Sequence, residues 1–284
     1  MKIRLGCDLG YQVNAPTTFV LNIQPAETPR QRSLSETLTI TPRGTPTETW
    51  TVPETSNRYL RLNVQPGTEL LIHHEAEVEL QAHVAGTSEV TQHSFAELPP
   101  EALPHLWPSR FCESDRLQRL AHREFSAMPA GHARVTAVCN WVNDRLTYLP
   151  GASGPTTTAT ETLLSGTGVC RDFAHLSIAL CRALGIPARY ISAQAPGLVT
   201  PDFHAVFEAY LGSKWWLFDA TRQAPLDTLV RIGLGRDAAE AAFAEFDGDA
   251  TPTRMKVGAE VIEGLQVQRH NRTTQAVAGV AEAP

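Results

Sequence analysis

The chain has five cysteines, at positions 7, 112, 139, 170 and 181, and one of them sits where a thiol can do chemistry. Cys170 follows Gly166-Thr167-Gly168-Val169, where two glycines break the chain. It opens a segment whose residues Phe173, Leu176, Ser177, Leu180 and Leu184 recur at helical steps. The spacing predicts a helix from near Val169 to Leu184, stopped by Gly185 and Pro187. In the first turn of that helix the N–H groups without intrahelical partners, together with the helix dipole, favour a thiolate. Cys170 shares the edge of the apolar stripe with Phe173, Ala174 and Cys181, so it faces neighbouring structure.

A thiolate nucleophile needs a base, and the base needs an orienting group. Residues 202–219 read as a hairpin with Gly212-Ser213 as a two-residue loop of the II′ type. Leu211 then pairs with Lys214, Tyr210 with Trp215 and Val206 with Asp219. His204 and Asp219 become diagonal neighbours on one face, about 7–8 Å apart at Cβ and within reach of an imidazole–carboxylate hydrogen bond. Phe203, Phe207, Trp216 and Phe218 collect on the other face. Cys170, His204 and Asp219 in that order match a nucleophile–base–acid triad, whose members meet only in the fold.

Other polar residues carry weaker signals. Tyr148 precedes the loop leading to Cys170 and is a candidate second oxyanion donor, beside the backbone N–H of Cys170. Packing is the commoner role for such a Tyr. Arg171 is open to a substrate carboxylate or to Asp237, Asp172 to the helix dipole, and His175 reads as a packing or polar-contact residue. His73 and His74 are adjacent on a strand and point to opposite faces, so they do not ligate one ion together. Neither a metal nor a cofactor is expected. Cys139 and Cys181 lie on apolar helical faces, and Cys7 and Cys112 have no partner motif.

The elements that must position these groups fall into two textures. Residues 1–98 alternate apolar and polar over Lys2–Gln12, Thr18–Gln24, Glu36–Ile40, Tyr59–Val64 and Glu69–Val84, broken by Pro and Gly turns. That pattern predicts a β-sandwich or small barrel. After Leu98-Pro99-Pro100 the period becomes helical: Leu117, Leu120, Ala121 and Phe125 form one stripe, and Val135, Val138, Cys139, Val142 and Leu146 another. Strand candidates follow at Arg189–Ala193, Phe203–Leu211 and Lys214–Phe218. A further helix is expected from Asp237, capped with Glu240, and a last strand over Met255–Ile262. The domains are accordingly 1–98 and 105–268, with 269–284 expected to be a disordered tail. Asn271-Arg272-Thr273 in that tail matches a glycosylation pattern, which has no weight without secretion.

Three blocks, Gly168-Val169-Cys170-Arg171-Asp172-Phe173-Ala174-His175-Leu176, Leu184-Gly185-Ile186-Pro187-Ala188-Arg189-Tyr190 and the segment 202–221, resemble the bacterial transglutaminase-like superfamily, whose members are often described as candidate cysteine proteases. The resemblance spans about residues 105–270. The preceding β-rich part is similar to the N-terminal region of one bacterial subfamily. The resemblance implies an α+β fold, an N-terminal β-sandwich-like domain followed by a papain-like core. It also implies Cys170 as nucleophile, His204 as base and Asp219 as orienting acid. Val206 stands where such relatives commonly carry Trp, a change expected to open or reshape the site. Ala220 replaces a Pro that often follows the Asp.

Composition limits the alternatives. With 284 residues, 42% hydrophobic and a net charge of −6, the chain has the material for two domains and no basic surplus for phosphate binding. An odd, scattered cysteine count fits neither a disulfide framework nor a zinc site. The chain has no long uncharged apolar run, and Cys7, Asp8 and Gly10 come before any signal-peptide core could form, so a cytoplasmic location without membrane contact is expected. The expected substrate is a peptide, a protein or a small amide, attacked through an acyl-enzyme by a peptidase or amidase. A transglutaminase with an amine acceptor is the alternative, and a non-catalytic binding or scaffold protein with a vestigial triad is the alternative of another class.

Overall fold

A computed structural model describes residues 1–87, 90–264 and 275–278. The chain begins with β1 (Lys2–Val13), β2 (Thr17–Leu21), β3 (Gln31–Thr41), β4 (Thr47–Val52), β5 (Asn57–Val64), β6 (Glu69–Leu80) and β7 (His83–Gly86). It continues through α1 (Ser114–Phe125), α2 (His132–Arg145), β8 (Thr147–Tyr148), α3 (Ala159–Ser165), β9 (Thr167–Gly168) and α4 (Cys170–Ala183). Then follow β10 (Ala188–Gln194), β11 (His204–Leu211), β12 (Lys214–Phe218), β13 (Val230–Gly235), β14 (Ala244–Asp247), β15 (Ala250–Glu263) and β16 (Gln275–Ala278). The architecture is mixed α+β, a β-rich N-terminal part followed by a helix-and-sheet core.

Two four-stranded sheets, β15-β1-β6-β3 and β14-β2-β5-β4, form the sandwich. The alternation read from the sequence is its cause. Leu9, Tyr11, Phe19, Leu21, Leu60, Leu62, Leu70 and Ile72 point inward and make one apolar cluster. The outer strands come from far along the chain: β14 pairs with β2, and β15 runs the whole length of β1. The domain boundary expected at 105–268 therefore needs correction, because residues 244–263 return to the sandwich. The physical reason is edge covering: β1 and β2 would otherwise expose unpaired backbone.

The core sheet has the order β12-β11-β10-β13. On it lies α4, whose residues from Asp172 to Ala183 are all buried. A single apolar stripe was the expectation, but α4 has the sheet on one side and α1, α2 and α3 on others, so nearly every face is covered. The hairpin between β11 and β12 has the expected register, Leu211 with Lys214 and Tyr210 with Trp215. Its loop differs from the expected II′ form: Gly212 and Ser213 both have positive φ, 54° and 63°, the signature of type I′.

Side-chain amides lock the two parts together. Gln31 accepts from Arg231 N–H at 2.8 Å and donates to the Arg231 carbonyl at 2.8 Å. Asn57 does the same for Leu234, with both bonds at 2.8 Å. These two amides act as a surrogate strand along the outer edge of β13.

Other expectations need correcting. No helix starts at Asp237; its carboxylate instead accepts Phe111 N–H at 2.9 Å and Ala239 N–H at 2.9 Å. A capping side chain committed to a distant segment closes a turn there in place of a helix. In the expected tail, Gln275–Ala278 pairs with β7, and Val277 and Ala278 are buried. The rest of 269–284, including Asn271-Arg272-Thr273, lies outside the described residues. No helix among the described residues is long and apolar enough to cross a membrane.

Candidate active site

Cys170 is the first residue of α4, and the preceding turn is tightly built. Asp172 Oδ2 accepts Val169 N–H at 2.8 Å and the Ser153 hydroxyl, and Arg171 donates to the Gly154 carbonyl. Asp172 therefore serves the helix start as expected, while pinning the loop at 153–154. Arg171 turns to that loop and not to Asp237. Gly168 is required here, since a Cβ would come within 2.7 Å of Asp172 Cβ.

The Cys170 thiol is partly exposed, whereas Cys7, Cys112, Cys139 and Cys181 are buried. Burial pushes the thiols of Cys7 and Cys112 up to about 12, and those of Cys139 and Cys181 well above their ordinary value. Cys170 Sγ lies 3.9 Å from the carbonyl oxygen of Phe203, the residue before His204.

The His204 ring and the Asp219 carboxylate meet as the hairpin register requires, Nε2 to Oδ2 at 2.9 Å. Burial works against a charged imidazole, but the Asp219 carboxylate and the adjacent Cys170 thiol outweigh it and raise His204 to about 10. Asp219 is held below the usual carboxylate range: burial opposes this, while His204 and Thr221 bring it about. With Nε2 committed to Asp219, Nδ1 is the nitrogen left for the thiol. Two residues missed in the sequence hold this pair. Thr221 donates to Asp219 Oδ1 from its N–H at 2.8 Å and its hydroxyl at 2.6 Å. Asn143 of α2 donates to the Ala220 carbonyl at 2.7 Å. The Asp-x-Thr spacing is a recognisable turn signal and could have revealed Thr221.

Tyr148 reaches the site through a connection invisible to periodicity. The two-residue strands β8 and β9 pair in parallel, setting Tyr148 opposite Gly168. Its hydroxyl lies close enough to Cys170 for the two groups to affect each other's ionisation. Burial first, and then Cys170, push that hydroxyl up to about 12, so it stays a donor at neutral pH.

The remaining candidates have quiet roles. His175 stacks on Phe111 and accepts Ala238 N–H at 3.1 Å, and burial lowers it to about 3. His73 and His74 bind different carboxylates, Asp8 at 2.7 Å and Glu36 at 2.8 Å. Val206, expected to reshape the site, is buried with Ile191, Ala193 and Leu217 beneath the sheet. It does not line the cleft that holds Cys170 and His204.

The fold thus brings together a thiol at a helix start, an imidazole beside it and a carboxylate behind that imidazole. Residues 119–220 match the family model of the transglutaminase-like superfamily, and residues 1–101 that of the bacterial transglutaminase N-terminal domain. The chain belongs to the transglutaminase-like superfamily. The solved structure of a candidate cysteine protease from Cytophaga hutchinsonii is similar to it throughout: 39% identity, a TM-score of 0.93, and 98% of this chain and 97% of that one covered. An uncharacterized protein of Mycobacterium leprae is 33% identical over 117 residues, which is 38% of this chain. The match spans 42% of the length of that curated relative.

Proposed function

We propose that the protein is a cysteine-dependent acyl-transfer enzyme that cleaves amide bonds with water, a peptidase or amidase. The observation that carries this reading is the His204–Asp219 pair set against the partly exposed Cys170 at the mouth of a cleft. Cys170 attacks the carbonyl carbon, and the oxyanion forms beside the Cys170 N–H and the Tyr148 hydroxyl. Collapse breaks the C–N bond, and the imidazolium of His204 gives its proton to the departing amine. Water, deprotonated by the now neutral His204, attacks the thioester and releases the acid and the thiol. Asp219 fixes the ring and stabilises its charge throughout. The similarity to the candidate cysteine protease supports the hydrolytic version.

The test is incubation with a glutamine-containing peptide and a labelled primary amine in water. Release of the free acid without amine incorporation is expected. Incorporation of the label would move the assignment to a transglutaminase. No turnover of any amide, with a Cys170→Ala variant keeping full biological activity, would leave a binding or scaffold protein.

A further inference from the structure

The cleft beside Cys170 is not made by the core alone. It encloses about 500 Å³, within the range of ligand sites. Its lining includes Cys170 and His204 together with Phe203, Ala242, Phe243 and Met255. Met255 belongs to β15 of the sandwich, and Ala242 and Phe243 to the connection entering β14.

Met255 is the informative residue. In the ladder it stands opposite Leu9, two positions from Val257, which is opposite Cys7. Leu9 and Val257 are 2% and 4% exposed, as inward-facing residues of a sandwich should be. Met255 has the same register and is 53% exposed, because the cleft opens where its packing partner would stand. In the same lining, Phe203 and Phe243 stack with centroids 4.5 Å apart and planes at 13°, giving a flat apolar surface. Phe203 directly precedes His204, so this surface is continuous with the reacting groups. Arg110 and Arg171 are matched in number by Asp202 and Glu245, and the charge on His204 is met by Asp219 behind it, so no surplus charge selects an ionic side chain.

We propose that Met255, Ala242 and Phe243 form a subsite for a bulky apolar side chain flanking the attacked amide, so that the sandwich helps to read the substrate. This rests on the acyl-transfer reading for its meaning; the binding it asserts is measurable without turnover. Met is suited to the role, being unbranched and polarizable and able to fit varied apolar shapes.

The experiment uses the full-length Cys170→Ala protein and calorimetry with blocked hexapeptide amides. The peptides differ only in one residue, Phe, Leu, Asp or Lys, placed before or after a central Gly. In one of the two placements the Phe and Leu peptides are expected to bind roughly 10- to 100-fold tighter than the Asp and Lys peptides. Ala242→Trp should erase that preference, and Met255→Gln, at an exposed position, should reduce it while the melting temperature holds. Equal affinities in both placements, tightest binding of Asp or Lys, or no binding of any peptide would overturn the subsite. Alkylation of Cys170 in the intact protein separately tests the acyl-transfer reading, so the two failures are distinguishable.

Discussion

His204 Nε2 donates to Asp219 Oδ2 across 2.9 Å, and the two side chains are only 2% and 3% exposed. Little solvent screens this pair, so the carboxylate keeps the imidazole charged where burial alone would discharge it. A protonated His204 at neutral pH is a ready acid for a leaving amine. Asp219→Asn removes the charge and keeps the shape. The alkaline limb of turnover, near pH 10 in the parent, should then move below the ordinary histidine value of about 6.5, with turnover at pH 7.5 falling roughly 10²- to 10⁴-fold. A pH–rate profile of both proteins checks this, and an unmoved limb would remove Asp219 from the account.

The same pair makes stability depend on pH with a definite sign. The folded state holds the His204 proton up to about pH 10, whereas the unfolded chain releases it near 6.5. Its contribution is therefore complete below about pH 6.5 and is lost as pH rises through about 10. Asp219, lowered in the fold, adds stability above the ordinary carboxylate range that is lost as pH falls. Urea unfolding at pH 7 and pH 10 should show a decline in the parent, and a smaller one in His204→Gln.

Tyr148→Phe deletes a donor without disturbing the ring contact with Phe173. Turnover should fall roughly 10²-fold, the scale of one oxyanion donor, while alkylation of Cys170 by a small reagent keeps its rate to within about threefold. A parallel loss in both measurements would mean that Tyr148 acts on the thiol and not on the oxyanion.

Gly168→Ala drives a methyl into Asp172 and should cost about 1–3 kcal/mol, as overpacking does. Asp172→Ala releases Val169 N–H and the Ser153 hydroxyl and should cost about 3 kcal/mol. Denaturant midpoints measure both. A neutral result for either would contradict the tightly built turn before Cys170.

Much of this site was legible in the sequence because its geometry is local. The β11–β12 hairpin fixes His204 and Asp219 by counting from Gly212 and Ser213, and the stop at Gly185-Ile186-Pro187 fixes where α4 ends. What was illegible depends on distant partners. The strand β13 was missed because Gly233 weakens its pattern, yet that glycine is needed where a Cβ would meet the Asn22 side chain at 2.4 Å. The strand at Met255 was recognised, but its place beside β1 spans almost the whole chain and has no local signal. Asp237 three residues before Glu240 reads as a helix cap until Phe111 claims the carboxylate. The parallel bridge that brings Tyr148 to Gly168 is two residues long, too short for any period to show.

The central claim is that Cys170 is a nucleophile made so by His204. Peptide-level mass spectrometry after limited iodoacetamide treatment of the folded protein tests it most directly. Cys170 should be modified at least roughly tenfold faster than Cys7, Cys112, Cys139 and Cys181, whose buried thiols resist ionisation. The Cys170 rate itself should fall at least roughly tenfold in His204→Ala. Equal labelling of Cys170 and Cys139, or an unchanged Cys170 rate without His204, would contradict the account.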